Sequence, residues 1–176
     1  MGRTIPATAT KASGQLITGA LWNAGPYALS QFALAPPVFR ARQVTAVAFP
    51  SGSWVSAQFD NIDMDSETGW TNANLSNYYA QVPGWYWVEG YMAWSNGGGA
   101  QGRFEASITK NGSIIQGSAS FSWMYADLMS IGAGTMVQLA VNDYVQILGR
   151  QNTGNTVNTF GGTDLCPCMN VFWVHS

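Results

Sequence analysis

Charge is what this chain has least of: Asp, Glu, Lys and Arg make up 9% of its 176 residues, against roughly a quarter in ordinary globular proteins. Its seven basic and nine acidic residues leave a net charge of −2. The basic residues are scattered, and no cluster of them would follow a phosphate backbone, so nucleic acid is not an expected partner. Histidine occurs once, at His175. A Ser–His–Asp or Cys–His device would have to be assembled around that penultimate residue, and no enzyme activity is expected. Cysteine occurs twice, as Cys166 and Cys168 in "DLCPCMN". This pair offers two metal ligands with no second pair to complete a zinc site, and a disulfide across one residue would be strained. Reduced thiols are the plainer expectation, with an intrachain or interchain disulfide as the alternative. Residues 16–39 form the longest apolar stretch, but Gly19, Asn23, Pro26 and Pro36-Pro37 interrupt it. No membrane insertion is expected from it.

The missing charge is replaced by Gly, Ser, Thr, Asn and Gln, while hydrophobic content stays at 47%. A chain of this size buries about two-thirds of its unfolded surface, so disorder is excluded. Residues 1–14, "MGRTIPATATKASG", read as an extended arm able to drape over a neighbour. Residues 15–42 read as a helical anchor segment: Leu16, Ile17, Leu21, Trp22, Leu29 and Phe32 recur at near-helical spacing. Pro26 is expected to end one helix and open the next, and Pro36-Pro37 to stop it. The segment either caps the domain or docks into a larger assembly. From residue 43 to 176 short alternating runs take over. Hairpin punctuation separates them, notably Asn111-Gly112 and Asn142-Asp143. The pattern predicts an all-β, antiparallel β-sandwich.

"YYAQVPGWYWVEGYMAW", Tyr78 to Trp94, holds seven aromatic rings in seventeen positions. In a strand, Trp85, Trp87, Glu89 and Tyr91 face one way, and Tyr86, Val88, Met92 and Trp94 the other. One row suffices for the core. The second would expose more apolar surface than monomers usually tolerate. An oligomer interface through Trp85, Trp87 and Tyr91 explains it best. A sugar-stacking platform, or a covering loop or helix, are the alternatives.

These residues resemble the complement globular-head/tumour-necrosis-factor jelly roll, in which a Tyr, a small insert, Pro-Gly and an aromatic-rich strand recur. "VSAQFDNIDMDSETGW", "SITKNGSIIQGSASF" and "MVQLAVNDYVQILG" are similar to its flanking pieces in the same order, whereas "MNVFWVHS" departs from the usual ending. The resemblance implies a homotrimeric jelly roll whose subunits pack around an axis. The front end is similar to small virion proteins of tailed bacteriophages, commonly described as minor tail proteins. Ile17, Thr18, Trp22, Asn23, Pro36, Pro37, Arg42 and Gln43 carry that likeness. It implies a virion component of the tail or tail tip, bound to other virion proteins and reaching a host surface, where a glycan is a candidate partner. Capsid decoration is the alternative. In "FDNIDMDSETG", Asp60, Asp63, Asp65 and Glu67 are candidate Ca²⁺ ligands. A solvated acidic turn is the plainer reading, and no other cofactor is expected.

Overall fold

The computed structural model describes residues 3–7, 16, 18–95, 101–124, 128–162 and 164–176. Thr18 caps the first helical turn, its hydroxyl accepting from Leu21 N at 3.3 Å. The helix continues through α1 (Gly19–Trp22), a π-turn (Asn23–Tyr27) and α2 (Ala28–Leu34). Pro26, expected to break it, lies inside the π-turn. Widening the turn to i→i+5 bonding accommodates a residue with no N–H and relieves its ring from the preceding carbonyl. Ala35 is already non-helical ahead of Pro36. No helix among the described residues is long and apolar enough to cross a membrane.

The strands are β1 (Val38–Arg42), β2 (Ala48–Phe49), β3 (Val55–Ser56), β4 (Asn61–Asp65), β5 (Tyr78–Tyr79), β6 (Gly84–Ser95) and β7 (Gly102–Lys110). They continue as β8 (Ser113–Ile114), β9 (Ser120–Met124), β10 (Leu128–Leu139), β11 (Tyr144–Gln151), β12 (Val157–Thr159) and β13 (Cys168–His175). The first sheet runs β2-β12-β6-β13-β1-β4, with β10 on the other side of β6. The second runs β3-β11-β7-β8, with β5 on β11 and β9 on β7. All the pairings are antiparallel, and the chain crosses between sheets from β10 to β11 to β12, giving a jelly-roll sandwich. The sandwich starts earlier than residue 43. β1, placed by sequence in the helical segment, pairs with both β13 and β4. Its alternation of Phe39 and Ala41 inward with Arg40 outward is a strand pattern five residues long.

The even row of β6 is the buried one. Tyr86, Val88, Met92 and Trp94 are fully buried and meet Phe104, Ile108 and Ile147 of the other sheet. Trp94 packs edge-on to Phe104 at 5.0 Å and Phe49 at 6.2 Å. Room for it depends on Gly149: a Cβ there would stand 2.7 Å from Trp94 and 2.9 Å from both Met92 and Phe49.

Two turns brace one another at the end of the sandwich. Asn111 and Gly112 both have positive φ, 50° and 81°, as a type I′ turn requires, and Asn142 has φ 70°. Asp143 accepts from Asn111 Nδ2 at 2.7 Å, Ala140 N at 2.8 Å and Lys110 Nζ at 2.9 Å. The Asn111 amide and the Lys110 ammonium hold its carboxyl down at about 2.

Two outcomes follow from this packing. Gly149→Ala overfills the core and lowers stability by about 1–3 kcal/mol, seen as a shifted urea midpoint at unchanged slope. Asp143 has a folded pKa below the usual carboxylate value. Its stabilisation is therefore complete above about pH 4 and is lost as pH falls through about 2. Asp143→Asn removes that part of the acid-unfolding profile.

Candidate functional site

The outward face of the first sheet is laid out in transverse rows by strand register. One row is Val38, Phe172, Trp87 and Met136 on β1, β13, β6 and β10. The next is Arg40, Asn170, Glu89 and Gly134, and the third is Arg42, Cys168, Tyr91 and Gly132. The first row presents two rings and a thioether, the middle row is polar, and the third sets the Tyr91 ring and the Cys168 thiol in line with Arg42. Trp87 is 39% exposed and Tyr91 46%, with Met136, Phe172 and Val174 also exposed. Trp85, the third residue of the sequence-predicted interface, is only partly buried and lies 6.3 Å from the His175 ring.

The rings rest on glycine. A Cβ on Gly132 would come within 2.9 Å of the Tyr91 ring, and one on Gly134 within 3.2 Å of the Trp87 ring. Both aromatic side chains therefore lie flat across β10, which has no side chains at those two positions. Trp87 Nε1 donates to Glu89 Oε2 at 3.0 Å, and Asn170 Nδ2 donates to Glu89 Oε1 at 3.1 Å. Both carboxylate oxygens are occupied by neutral donors. Shallow depressions lie on either side of this residue, one lined by Trp87, Tyr91, Gly132 and Gly134, the other by Val38, Arg40, Met64 and Phe172.

A second apolar patch stands at the corner of the sandwich. Phe121 is 66% and Trp123 52% exposed on β9, on the outward face of the second sheet in register with Glu105 and Arg103. Arg103 lies over Phe121 at 5.6 Å from the ring centre and pairs with Glu105 at 2.7 Å. The Ser120 hydroxyl donates to the Gly132 carbonyl and ties β9 to β10 across the corner. Sequence reading missed this patch, although Phe121 and Trp123 alternate with Ser120 and Ser122 as an amphipathic strand would.

The four carboxylates named as candidate Ca²⁺ ligands are each employed separately. Asp60 accepts from Val44 N and Thr45 N, at 2.6 and 2.8 Å. Asp63 is held below the usual carboxylate range by Arg42, which forks onto it with bonds of 2.7 and 2.9 Å. Asp65 accepts from Gly69 N and Trp70 N, and Glu67 pairs with Arg3. Residues 61–65 form a strand whose register against β1 skips Asp63, so Asp63 turns outward to Arg40 and Arg42 while Asp65 lies across from buried Phe39. Among the described residues no group of three His, Cys, Asp or Glu is placed to hold a metal ion. Burial raises the pKa of both Cys166 and Cys168, which are unpaired.

The anchor residues divide. Leu16, Trp22 and Leu29 are exposed and Leu21 partly so, while Ile17 lies outside the described residues. Phe32, expected among them, is buried against the chain's own Trp173, edge-on at 4.9 Å. His175 bonds an oxygen of Ser176 at 2.9 Å, its one hydrogen bond among the described residues.

No family model and no curated protein matches this sequence. Solved structures do match its fold. The globular domain of zebrafish complement 1qA protein aligns with a TM-score of 0.57 at 12% identity, over 79% of this chain and 98% of that one. Murine APRIL aligns with a TM-score of 0.57 at 10% identity, over 77% and 98%. The fold is that of the complement 1q and tumour-necrosis-factor-like jelly rolls.

The glycine seats give this site its own test. Gly134→Val lifts the Trp87 ring off β10, so its indole resonance shifts and Trp87 emission moves, while the core-facing row keeps the domain folded. An unchanged Trp87 environment in the folded variant would disprove the seating.

Proposed function

We propose that this chain is the subunit of a closed homotrimer that serves as a non-enzymatic structural or adhesion module. The observation that carries this reading is the exposed row of Trp87 and Tyr91, seated on Gly132 and Gly134 and bordered by Met136 and Phe172. Exposed rings and a thioether gathered on one sheet face, divided only by the row of Glu89, support an interaction surface there. A cyclic trimer joins two unlike patches, each subunit offering one to each neighbour. The Val38 and Met64 side of the same sheet, around Arg40, supplies the second patch. The jelly-roll fold, with the trimeric packing that the sequence resemblance implies, supports the same stoichiometry.

At a finer level we place this trimer in a tailed-phage virion, in the tail or tail tip, with its N-terminal segment turned toward the particle. The "ITGALWN" to "PPVFRARQ" pattern and the outward Leu16, Trp22 and Leu29 support that placement. Capsid decoration uses the same features. A second reading draws on the depression where two rings and the Glu89 carboxylate lie together, an arrangement suited to stacking a sugar. In that case the chain is a host-glycan-binding module.

Light scattering after size exclusion separates the readings. The full chain should elute with three times its 18.9 kDa mass. Trp87→Lys should weaken assembly at least about 30-fold, the effect of losing a 2 kcal/mol hot spot. A monomeric wild type removes the trimer and leaves the sugar-stacking reading, which a glycan array then tests. Antibody labelling of particles at one end, rather than over the capsid, checks the tail placement.

A further inference from the structure

The polar middle row of the aromatic face is electrically lopsided. Arg40 and Arg42 share one carboxylate, Asp63, at 3.2 and 2.7 Å. Arg42 takes both oxygens of that carboxylate, and the Arg40 side chain remains 60% exposed. The β1 end of the row therefore carries a positive surplus. Glu89, next to the β10 edge, has only the Trp87 and Asn170 donors and no ion pair among the described residues. That end carries a negative surplus. The two ends cannot meet within one subunit: Asn170 lies between them, and two strand spacings make about 10 Å.

We propose that Glu89 of one copy is paired by Arg40 of the next, and that this ion pair sets the register in which the subunits join. The inference rests on the closed ring argued above. In a head-to-tail ring built on this face, the β10 side of each subunit approaches the β4–β1 side of its neighbour, where Arg40 stands beside Met64. The charged row runs in that direction, positive end first, so every junction brings opposite surpluses together. The apolar Val38–Phe172–Trp87–Met136 row on one side and the Tyr91 ring on the other shield the junction from water and make the match selective. A slip of one row toward Val38 would press Glu89 against an apolar row as a desolvated charge without a partner, and a slip the other way would set it opposite Arg42, whose guanidinium is already engaged by Asp63. Attraction between the rings is tolerant of such a slip, whereas the charged row is not. The pair therefore supplies specificity that the aromatic patch lacks.

The test is charge reversal in the full chain, read by light scattering over a dilution series. Arg40→Glu and Glu89→Arg should each raise the concentration for half-assembly at least about 30-fold. The double reversal should return it to within a few-fold of wild type. Circular dichroism and melting temperature establish that each variant is folded, and Arg40→Glu changes an exposed side chain. Because Glu89→Arg also loses its bonds to Trp87 and Asn170, the milder Arg40→Gln and Glu89→Gln pair provides a second cycle, in which the two losses should not add. A trimeric wild type whose single reversals assemble normally overturns the pair, as does a double reversal no better than the worse single. A monomeric wild type instead overturns the ring on which the pair depends.

Discussion

The pleat of β6 is the constraint on which the rest of this molecule depends. β6 is bonded along both edges, to β10 on one side and to β13 and β12 on the other. It can neither slip nor twist free, so the assignment of Tyr86, Val88, Met92 and Trp94 to the core also sends Trp85, Trp87, Glu89 and Tyr91 outward. A one-residue slip would exchange the rows and put a carboxylate where Val88 now packs. The core and the exposed face are two readouts of one register. The neighbours are fitted to both. Gly149 leaves room for Trp94 inside, and Gly132 and Gly134 leave room for Tyr91 and Trp87 outside.

Scarcity of charge shapes the rest. With so few charged groups, most of those described do a specific local task. Asp143 ties two turns together, Asp60 caps the chain at Val44 and Thr45, and Asp65 caps Gly69 and Trp70. Arg103 is matched to Glu105. Neutral side chains carry much of the remaining polar bonding: Gln146 bonds Asn77 at 2.7 Å, and Gln151 bonds the Phe49 carbonyl at 2.9 Å. Such bonds need no counter-charge and are insensitive to salt. Against this background Arg40 and Glu89 stand out because they share one row of the outward sheet face with only Asn170 between them.

Much of the architecture was legible in the sequence because period-two alternation survives in β6, β7, β11 and β13, and because Asn111-Gly112 admits few conformations other than the turn it makes. The outward row of β6 was legible for the same reason. The first half of β10 was not. Its Ser130, Gly132 and Gly134 erase the alternation, yet they are small because rings from β6 lie over them, a reason that only tertiary structure supplies. β1 was hidden by its proximity to a helical pattern. β4 was hidden by acidic residues that resembled a metal loop, whereas strand geometry sends them to different partners. Pro26 misled for a related reason: local rules forbid it in an α-helix but not in a widened turn.

The N-terminal segment has to be held and free at once, and the structure divides those tasks between residues. Arg3 pairs with Glu67, which is only 3% exposed, and its guanidinium lies over Phe32 at 5.4 Å. Phe32 in turn seats on Trp173, whose indole N–H is fixed by the Pro83 carbonyl at 3.2 Å. Two points separated along the chain are thus clasped at the same corner of the sandwich. Removing Arg3 would strand a buried carboxylate, so the clasp is costly to open from that side. The helix, by contrast, buries only Gly25 and Phe32. Trp22 and Leu29 point away from the domain that holds the helix. A segment held at Arg3 and Phe32 with Trp22 and Leu29 outward has the form that the proposed attachment to a larger assembly calls for.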